Sequence, residues 1–182
     1  MNKQSIIKLQ KSVGTTADGA IGRGTLTAVF KKLGANDARA TELALSANIH
    51  FNTYGILDSE LRFSHFLAQL AHESGNFKYM EEIASGSAYE GRADLGNTQK
   101  GDGTRYKGRG PIQLTGRANY RKYGQALGID FENNPTIVAL PSIGLLVACK
   151  YWLDNGLNAL ADKDDVTTIT RRINGGLNGF DD

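Results

Sequence analysis

The sequence predicts a mainly helical fold. Apolar residues recur at steps of three and four positions in several segments, most clearly from Phe63 to Ala71, and this spacing places them on one face of a helix. Only Pro111–Thr115 alternates apolar and polar residues as a strand does. The one cysteine, Cys149, cannot form an intrachain disulfide. A chain of 182 residues is nevertheless long enough to bury a hydrophobic core without disulfides.

The composition argues against several functional classes. Hydrophobic residues make up 40% of the chain and charged residues 22%, as in ordinary globular proteins. The formal net charge of +2 is too small to predict binding to nucleic acid. No apolar run is long enough to span a membrane, so no membrane insertion is expected. The sequence contains neither an HExxH motif nor a Cys/His cluster, so we expect no metal and no organic cofactor.

The first residues, MNKQSIIKLQKSVG, lack the apolar segment of a signal peptide. We therefore expect that the protein is made and folded in the cytoplasm. Nothing in the sequence predicts an oligomer, and we expect a monomer.

Residues 1–34 form a small helical unit in this interpretation. Helices are expected at Ser5–Val13 and at Leu26–Leu33, with Thr25 as the cap of the second helix and Gly34 at its end. The intervening loop, GTTADGAIGRGT, is rich in turn residues. The whole pattern, LQKSVGTTADGAIGRGTLTAVFKKLG, resembles the short helical peptidoglycan-binding repeat of cell-wall enzymes. The alternative is a helical hairpin that only packs on the rest of the chain, and the sequence leaves both open.

Residues 35–182 form the main domain. A helix is expected at Asn36–Ile49, and a central helix capped by Asp58 or Ser59 should end near Glu73. Three more helices and one short helical turn are expected at Tyr120–Leu127, Thr136–Leu140, Ile143–Leu153 and Thr167–Ile173. Ile143–Leu153, with its cap at Ser142, is apolar on nearly all sides and should be the core helix, with Trp152 in the core.

Glu73 lies on the last turn of the apolar central helix. Burial disfavours the charged form of a carboxylate, and a carboxyl that stays protonated can act as a general acid. Glu82 follows nine positions later, which on one continuous helix would place it on the opposite side. The segment Ser74-Gly75-Asn76 should end the helix between them and let the two acids face each other. The alternative is that Glu73 pairs locally and that Glu81 and Glu82 are solvated.

Residues 83–120 are the least regular and the most polar part of the chain. A loop of this length in a compact domain is usually functional. If Pro111–Thr115 is extended, Gln113 and Thr115 point to the same face. The alternative is a poorly ordered charged insertion. Among the histidines, we interpret His65 as structural and His72 as a satisfied core residue, with tuning or orientation of the adjacent Glu73 as the alternative for His72.

Three motifs carry a resemblance to a known family. FLAQLAHESG, YKGRGPIQLTGRANY and INGG occur in this order between Leu45 and Asn178, and the chain resembles glycoside hydrolase family 19. The bacterial and phage branch of that family includes chitinases and phage endolysins. The resemblance implies a lysozyme-like, two-lobed helical fold with a central cleft and at most a small β-hairpin.

The resemblance also implies the roles of particular residues. Glu73 takes the position of the general acid and Glu82 that of the general base, with Glu90 as the second choice for the base. Thr115 falls where the family has a Ser or Thr that helps to hold the attacking water. Arg171 or Arg172 is expected to position a carboxylate. The predicted substrate-binding residues are Gln113, Asn119, Asn174, Tyr106, Arg109 and Glu90. The chain lacks the disulfides and the long loop between the two acids that plant-type members have.

The function expected from these features is that of a phage-type endolysin. It would cleave β-1,4 bonds of peptidoglycan glycan strands with inversion, which requires carboxyl groups about 6.5–9.5 Å apart. It would act on the cell wall after release from the host cytoplasm. A chitinase that acts on chitin oligomers is the first alternative, and a non-catalytic cell-wall-binding protein is the second.

Overall fold

The computed structural model describes residues 1–177, and this part of the chain is built from helices. The helices are α1 (Lys3–Val13), α2 (Arg23–Lys32), α3 (Asp37–Thr53), α4 (Glu60–Glu73), α5 (Asp102–Arg105), α6 (Arg117–Leu127), α7 (Pro141–Asp154), α8 (Leu157–Ala161) and α9 (Val166–Leu177). Short 3₁₀ helices lie at Ser87–Tyr89, Ala93–Leu95 and Pro135–Ala139. The predicted mainly helical fold is confirmed. None of the helices within residues 1–177 combines the length and apolarity needed to cross a membrane.

Two of the predicted helix starts are set by side-chain caps. The Asn36 side chain accepts a hydrogen bond from the Arg39 amide at 2.9 Å. The Ser59 hydroxyl accepts one from the Arg62 amide at 3.1 Å. Each cap satisfies one of the amide groups that a helix leaves unpaired in its first turn. The helix α3 continues to Thr53, beyond its predicted end.

Other helix boundaries were predicted incorrectly. The helix α2 begins at Arg23, after Gly22. Thr25 therefore lies inside the helix, where it is buried, and does not cap it. The helix α7 begins at Pro141, so Ser142 is not its cap. Proline suits this first position because its fixed φ angle is helical and the missing amide proton would have no partner there. The short helices α5 and α8 had no clear periodicity in the sequence.

The predicted strand Pro111–Thr115 is wrong. Gly110 to Gln113 form a turn in which the Gln113 amide donates to the Gly110 carbonyl at 3.0 Å. Gln113 has a φ angle of 57° in the left-handed region. Arg109 and Leu114 pair across the turn through two backbone hydrogen bonds of 3.1 and 2.8 Å. The alternation of apolar and polar residues therefore marks a tight turn and not an extended segment.

The core surrounds α7, as predicted from its apolar sequence. Trp152 is fully buried, and its ring meets the edge of Phe66 at 5.2 Å between centroids. The Trp152 indole nitrogen donates to the Asn158 side chain at 2.9 Å, so its polar group is satisfied. Cys149 is also fully buried, and burial raises the pKa of its thiol. A thiol that resists ionisation is an unreactive packing residue.

The N-terminal unit shares a hydrophobic core with the main domain. Phe30 of α2 is fully buried and packs edge-on against Phe77 at 5.2 Å. Gln10 of α1 is 1% exposed and donates to the Ala20 carbonyl and the Thr25 hydroxyl at 3.0 and 3.1 Å. The side-chain oxygen of Gln10, Oε1, accepts a hydrogen bond from the Gly19 amide at 2.9 Å. The side-chain amide of Gln10 therefore fixes the loop between α1 and α2. The domain boundary at residue 34 stays a prediction.

The histidines have different environments. His65 is nearly buried, and its Nε2 lies 2.7 Å from Asp164 Oδ1, which supports its structural interpretation. His72 is exposed at the end of α4, so the prediction of a core histidine is wrong. Because α4 packs only one of its faces on the core, His72 on its last turn points to solvent although the adjacent Ala71 is buried.

Replacing Gln10 with alanine should destabilise the N-terminal unit. The variant leaves the Gly19 amide and the Ala20 carbonyl without their partner, and an unmade buried hydrogen bond costs about 1–3 kcal/mol. We expect the melting temperature to fall by roughly 3–8 °C in a thermal unfolding experiment. Gln4→Ala, at an exposed position on the same helix, is the matched control and should leave it unchanged. An equal effect of both variants would contradict the assignment.

Candidate active site

Helix α4 ends at Glu73, and a turn follows it directly. Gly75, Asn76 and Phe77 have φ angles of 58°, 61° and 61°, all in the left-handed region. Residues other than glycine adopt this region at a cost in energy, so the surroundings must impose it. Phe77 is fully buried, and its amide donates to the Ser74 hydroxyl at 2.9 Å. The helix therefore ends between the two candidate acids, as the sequence predicted.

Glu73 has the environment expected of a proton donor. Its side chain is half-buried, and this burial raises its pKa, while the neighbouring His72 acts in the opposite direction. The charge of Glu73 also reaches Tyr151 of α7, which is 2% exposed. Burial first, and then the negative charge of Glu73, raise the pKa of Tyr151 to about 12. Burial of Glu73 beside this largely buried tyrosine favours the protonated form of its carboxyl.

Glu82 is held opposite Gly108 by hydrogen bonds in both directions. The Glu82 amide donates to the Gly108 carbonyl at 2.9 Å, and the Gly108 amide donates to Glu82 Oε2 at 3.1 Å. The Tyr89 hydroxyl donates to the other carboxylate oxygen, Oε1, at 3.2 Å. The neighbouring Glu81 instead pairs with Lys107 at 2.9 Å, and this contact is the main reason that its pKa is lowered. The carboxylates of Glu82 and Glu81 therefore have separate partners, although Lys107 also donates to the Glu82 backbone carbonyl at 3.0 Å.

Three polar side chains converge on Gly108. A methyl group built at Gly108 would lie 2.7 Å from Gln113 Oε1, 3.3 Å from Glu82 Oε2 and 3.4 Å from Thr115 Oγ1. Thr115 is itself 1% exposed, so the three groups meet at a largely buried point beside Gly108. The structure thus brings together three of the predicted residues, although the backbone of Gln113 differs from the predicted strand.

Thr115 and Gln113 are fixed by their own hydrogen bonds. The Thr115 hydroxyl donates to the Gln113 carbonyl at 2.9 Å, and the Gln113 side-chain amide donates to the Gly110 carbonyl at 2.9 Å. The Asn119 side chain donates to the Thr115 carbonyl at 2.8 Å. Because their donors are used in this way, Thr115 and Gln113 present acceptor oxygens towards Gly108.

Glu90, the second choice for the base, serves the loop. Its two carboxylate oxygens accept hydrogen bonds from the Gly101 amide at 2.6 Å and the Gly103 amide at 2.9 Å. A carboxylate that accepts backbone hydrogen bonds through both oxygens is a structural anchor. The geometry therefore favours Glu82 over Glu90 as the base.

Tyr106 and Arg109 do not fit the predicted contact with substrate. Tyr106 is 1% exposed, and its hydroxyl donates to the Glu132 carbonyl at 2.9 Å. Arg109 is 4% exposed and donates to the Tyr120 hydroxyl at 3.1 Å. Their side chains support the loop from inside, and we correct their assignment accordingly.

The helix α9 carries the remaining predicted residue, Asn174, at an exposed position. Arg172 on the same helix donates to the Asn155 carbonyl at 2.7 Å. Its own carbonyl accepts a hydrogen bond from the Tyr151 hydroxyl at 2.9 Å. These contacts fix α9 next to Tyr151, the residue on which the charge of Glu73 acts. In them Arg172 does not pair with a carboxylate, as the sequence predicted for Arg171 or Arg172, and Arg171 is exposed.

Sequence reasoning missed two residues of this site, Gly108 and Tyr89. Gly108 lies within the motif YKGRGPIQLTGRANY, but no pattern in the sequence reveals that three polar side chains meet beside it. Tyr89 lies in the irregular segment 83–120 and belongs to none of the three motifs. Within residues 1–177 no group of three or more histidine, cysteine or acidic side chains is arranged to hold a metal ion.

The fold and this arrangement agree with the match to a protein family. The model of glycoside hydrolase family 19, described as class I chitinase, matches residues 18–171. The chain therefore belongs to this family and is a chitinase-like glycoside hydrolase. The match begins inside the predicted N-terminal unit.

Individual relatives support the family membership. A glycosyl hydrolase family 19 domain-containing protein from Haemophilus influenzae is 31% identical in an alignment of 184 positions, gaps included, that covers 84% of this chain and 88% of that protein. Endochitinase EP3 from Arabidopsis thaliana is 37% identical over 142 residues, which cover 74% of this chain and 49% of that protein. The chain spans less than half the length of the plant endochitinases it matches.

Solved structures share the fold. A bacterial family 19 chitinase aligns with a TM-score of 0.54 and 25% identity, over 69% of this chain and 66% of that one. Chitinase C from Streptomyces griseus HUT6037 aligns with a TM-score of 0.55 and 24% identity, over 74% of this chain and 68% of that one. Together with the helical architecture, these likenesses confirm the predicted fold class.

Gly108→Ala should inactivate the enzyme without unfolding it. The added methyl group meets the ends of side chains, which can move, and Gly108 does not have a positive φ angle. It would displace Gln113 and narrow the space beside Glu82 and Thr115. Since a misplacement of about 1 Å can cost a hundredfold in rate, we expect kcat to fall on the order of a hundredfold.

The matched control is Gly24→Ala in α2, where nothing lies within 4 Å of the added methyl group. It should keep full activity. Full activity of Gly108→Ala would show that the space beside Glu82 is not used.

Glu73→Gln should keep or raise stability above neutral pH. A carboxyl whose pKa is raised by burial stabilises the fold fully below its unfolded pKa, and this contribution is lost as the pH rises through the folded pKa. The neutral amide avoids the burial of a charge. We therefore expect equal melting temperatures near pH 4 and a difference in favour of the variant that grows towards pH 8. A variant that becomes less stable than wild type as the pH rises would contradict this sign.

Proposed function

We propose that this protein hydrolyses β-1,4 bonds of glycans that contain N-acetylglucosamine, with peptidoglycan strands as its substrate and inversion as its stereochemistry. One observation carries the proposal: Glu73, a half-buried acid with a raised pKa, ends helix α4, and beyond the turn the hydrogen-bonded carboxylate of Glu82 lies beside Thr115 and Gln113. Two carboxyl groups in different environments are what glycoside hydrolysis requires.

Glu73 acts as the general acid in this mechanism. Burial raises its pKa and so favours its protonated form, and it gives this proton to the glycosidic oxygen as the bond to the sugar breaks. The rate should consequently decline as the pH rises through the raised pKa of Glu73.

Glu82 acts as the general base on a water molecule at the opposite face of the sugar. The water donates one hydrogen bond to Glu82 Oε2 and the other to the hydroxyl oxygen of Thr115, the two groups that converge on Gly108. Glu82 takes the proton while the water oxygen bonds to the anomeric carbon. The departing sugar leaves with the proton from Glu73, so that the protons balance and no covalent intermediate forms.

Peptidoglycan as substrate is supported by two features of the chain. Residues 1–34 resemble a peptidoglycan-binding repeat, and only nine positions separate the two acids, which shortens the cleft relative to plant-type members. In this proposal the protein is a phage-type endolysin that is made in the host cytoplasm, reaches the wall after release and lyses the cell.

Chitin is the second candidate substrate. It contains the same β-1,4 linkage, and the relatives from Arabidopsis thaliana and Streptomyces griseus carry the names endochitinase and chitinase. A protein that only binds the cell wall is disfavoured because both acids and Thr115 are present.

The test uses purified Gram-negative sacculi and colloidal chitin in parallel. Wild type should release reducing ends from sacculi and lower their turbidity. Glu73→Gln and Glu82→Gln should each lose a hundredfold or more of this rate, and Glu90→Gln much less. The anomer formed first, read by NMR, should have the inverted configuration.

Three outcomes would contradict the proposal in different ways. Turnover of chitin alone would exclude peptidoglycan but keep the mechanism. Binding to sacculi without turnover, unchanged in Glu73→Gln, would support a wall-binding protein. A loss in Glu90→Gln equal to that in Glu82→Gln would leave the base unassigned to Glu82.

A further inference from the structure

Among residues 1–177, the carboxylate of Glu82 has two hydrogen-bond donors, the backbone amide of Gly108 and the side chain of Tyr89. The Gly108 amide reaches Oε2 at 3.1 Å, and the Tyr89 hydroxyl reaches Oε1 at 3.2 Å. A carboxylate with one backbone contact can still rotate about its last torsion, which is broad for sp² groups. The second contact, at the other oxygen, removes this freedom.

The Tyr89 hydroxyl can serve only as a donor to Glu82. Tyr89 is half-buried, and its pKa is raised first by this burial and then by the nearby charge of Glu82. It therefore remains protonated, and its single hydrogen is given to Oε1. This leaves Oε2 as the carboxylate oxygen that faces Gly108, on the same side as Thr115 Oγ1.

The position of Tyr89 is itself well determined. The Asn97 side chain donates to the Tyr89 carbonyl at 2.9 Å and accepts from the Arg117 amide at 2.9 Å, which ties Tyr89 to the start of α6. Asn97 is fully buried. The next residue, Glu90, holds the Gly101 amide through its carboxylate. Hydrogen bonds on both sides thus hold the backbone that carries the Tyr89 ring in place.

We infer that Tyr89 is a positioning residue: its hydroxyl fixes the Glu82 carboxylate so that Oε2 faces Thr115 and receives the proton of the attacking water. The inference rests on the proposed role of Glu82 as the base. It also explains the structural role of Glu90, because the hydrogen bonds from the Gly101 and Gly103 amides to its carboxylate hold the segment that carries Tyr89.

The test compares Tyr89→Phe with Tyr79→Phe in the full chain, on soluble N-acetylglucosamine oligomers or on solubilised peptidoglycan strands, whichever wild type cleaves. Tyr79 is the matched control because its half-exposed ring lies over Gly75, outside the contacts of Glu82. We expect kcat of Tyr89→Phe to fall about tenfold with KM within about twofold, since the lost bond orients the base and does not bind substrate. Tyr79→Phe should keep the wild-type kcat.

A double mutant separates positioning from general damage. In the Glu82→Gln background, Tyr89→Phe should cause no further loss, because the group that it orients is already gone. A further loss of about tenfold in that background would overturn the inference. An unchanged kcat in the single variant, or a fall in kcat together with a fall in melting temperature of more than about 5 °C, would also overturn it.

The two proposals can fail separately. If Glu82→Gln keeps the wild-type rate, the base is misassigned, and both the proposed mechanism and the role of Tyr89 fail. If Glu82→Gln is inactive and Tyr89→Phe has the wild-type kcat, only the role of Tyr89 fails.

Discussion

The site depends on the reciprocal hydrogen bonds between Glu82 and Gly108. The Glu82 amide and the Gly108 carbonyl join the segment that leaves α4 to the loop before α6, and the Gly108 amide returns a bond to the Glu82 carboxylate. A further bond, from the Gly110 amide to the Met80 carbonyl at 2.8 Å, extends the same pairing. Backbone bonds of this kind need no particular side chain, so residue 108 is free to be glycine. Its small size then admits the polar groups that surround it.

Two carboxylates close in sequence thereby acquire different surroundings. Glu73 ends an apolar helix, and burial raises its pKa, whereas Glu82 accepts two hydrogen bonds. Glu81 differs from both because Lys107 and Arg109 pair with its carboxylate. A division of this kind is how one site can hold a proton donor and a proton acceptor at the same pH.

The irregular segment between residues 83 and 120 is ordered by bonds from side chains to backbone and by close backbone contacts. A methyl group at Gly86 would lie 2.5 Å from the Gly103 carbonyl oxygen. The two loop segments around Gly86 and Gly103 therefore pack backbone against backbone, at positions where neither residue has a side chain. Arg117 joins Asp102, which is buried, at 2.6 Å and reaches Glu132 at 3.2 Å. Broken pairs among buried charges are strongly destabilising, which keeps this loop in one conformation.

The sequence by itself determined most of the longer helices, the end of α4 after Glu73 and the motifs that identify the family. These follow from local rules: apolar periodicity, capping residues at Asn36 and Ser59, and glycine where a helix must stop. Only the tertiary structure decided that Gln113 lies in a turn, that Tyr106 and Arg109 are buried and that Tyr89 reaches Glu82. Each of those outcomes depends on contacts between residues distant in the sequence or on a backbone conformation imposed by packing, and such contacts leave no periodic pattern in the sequence.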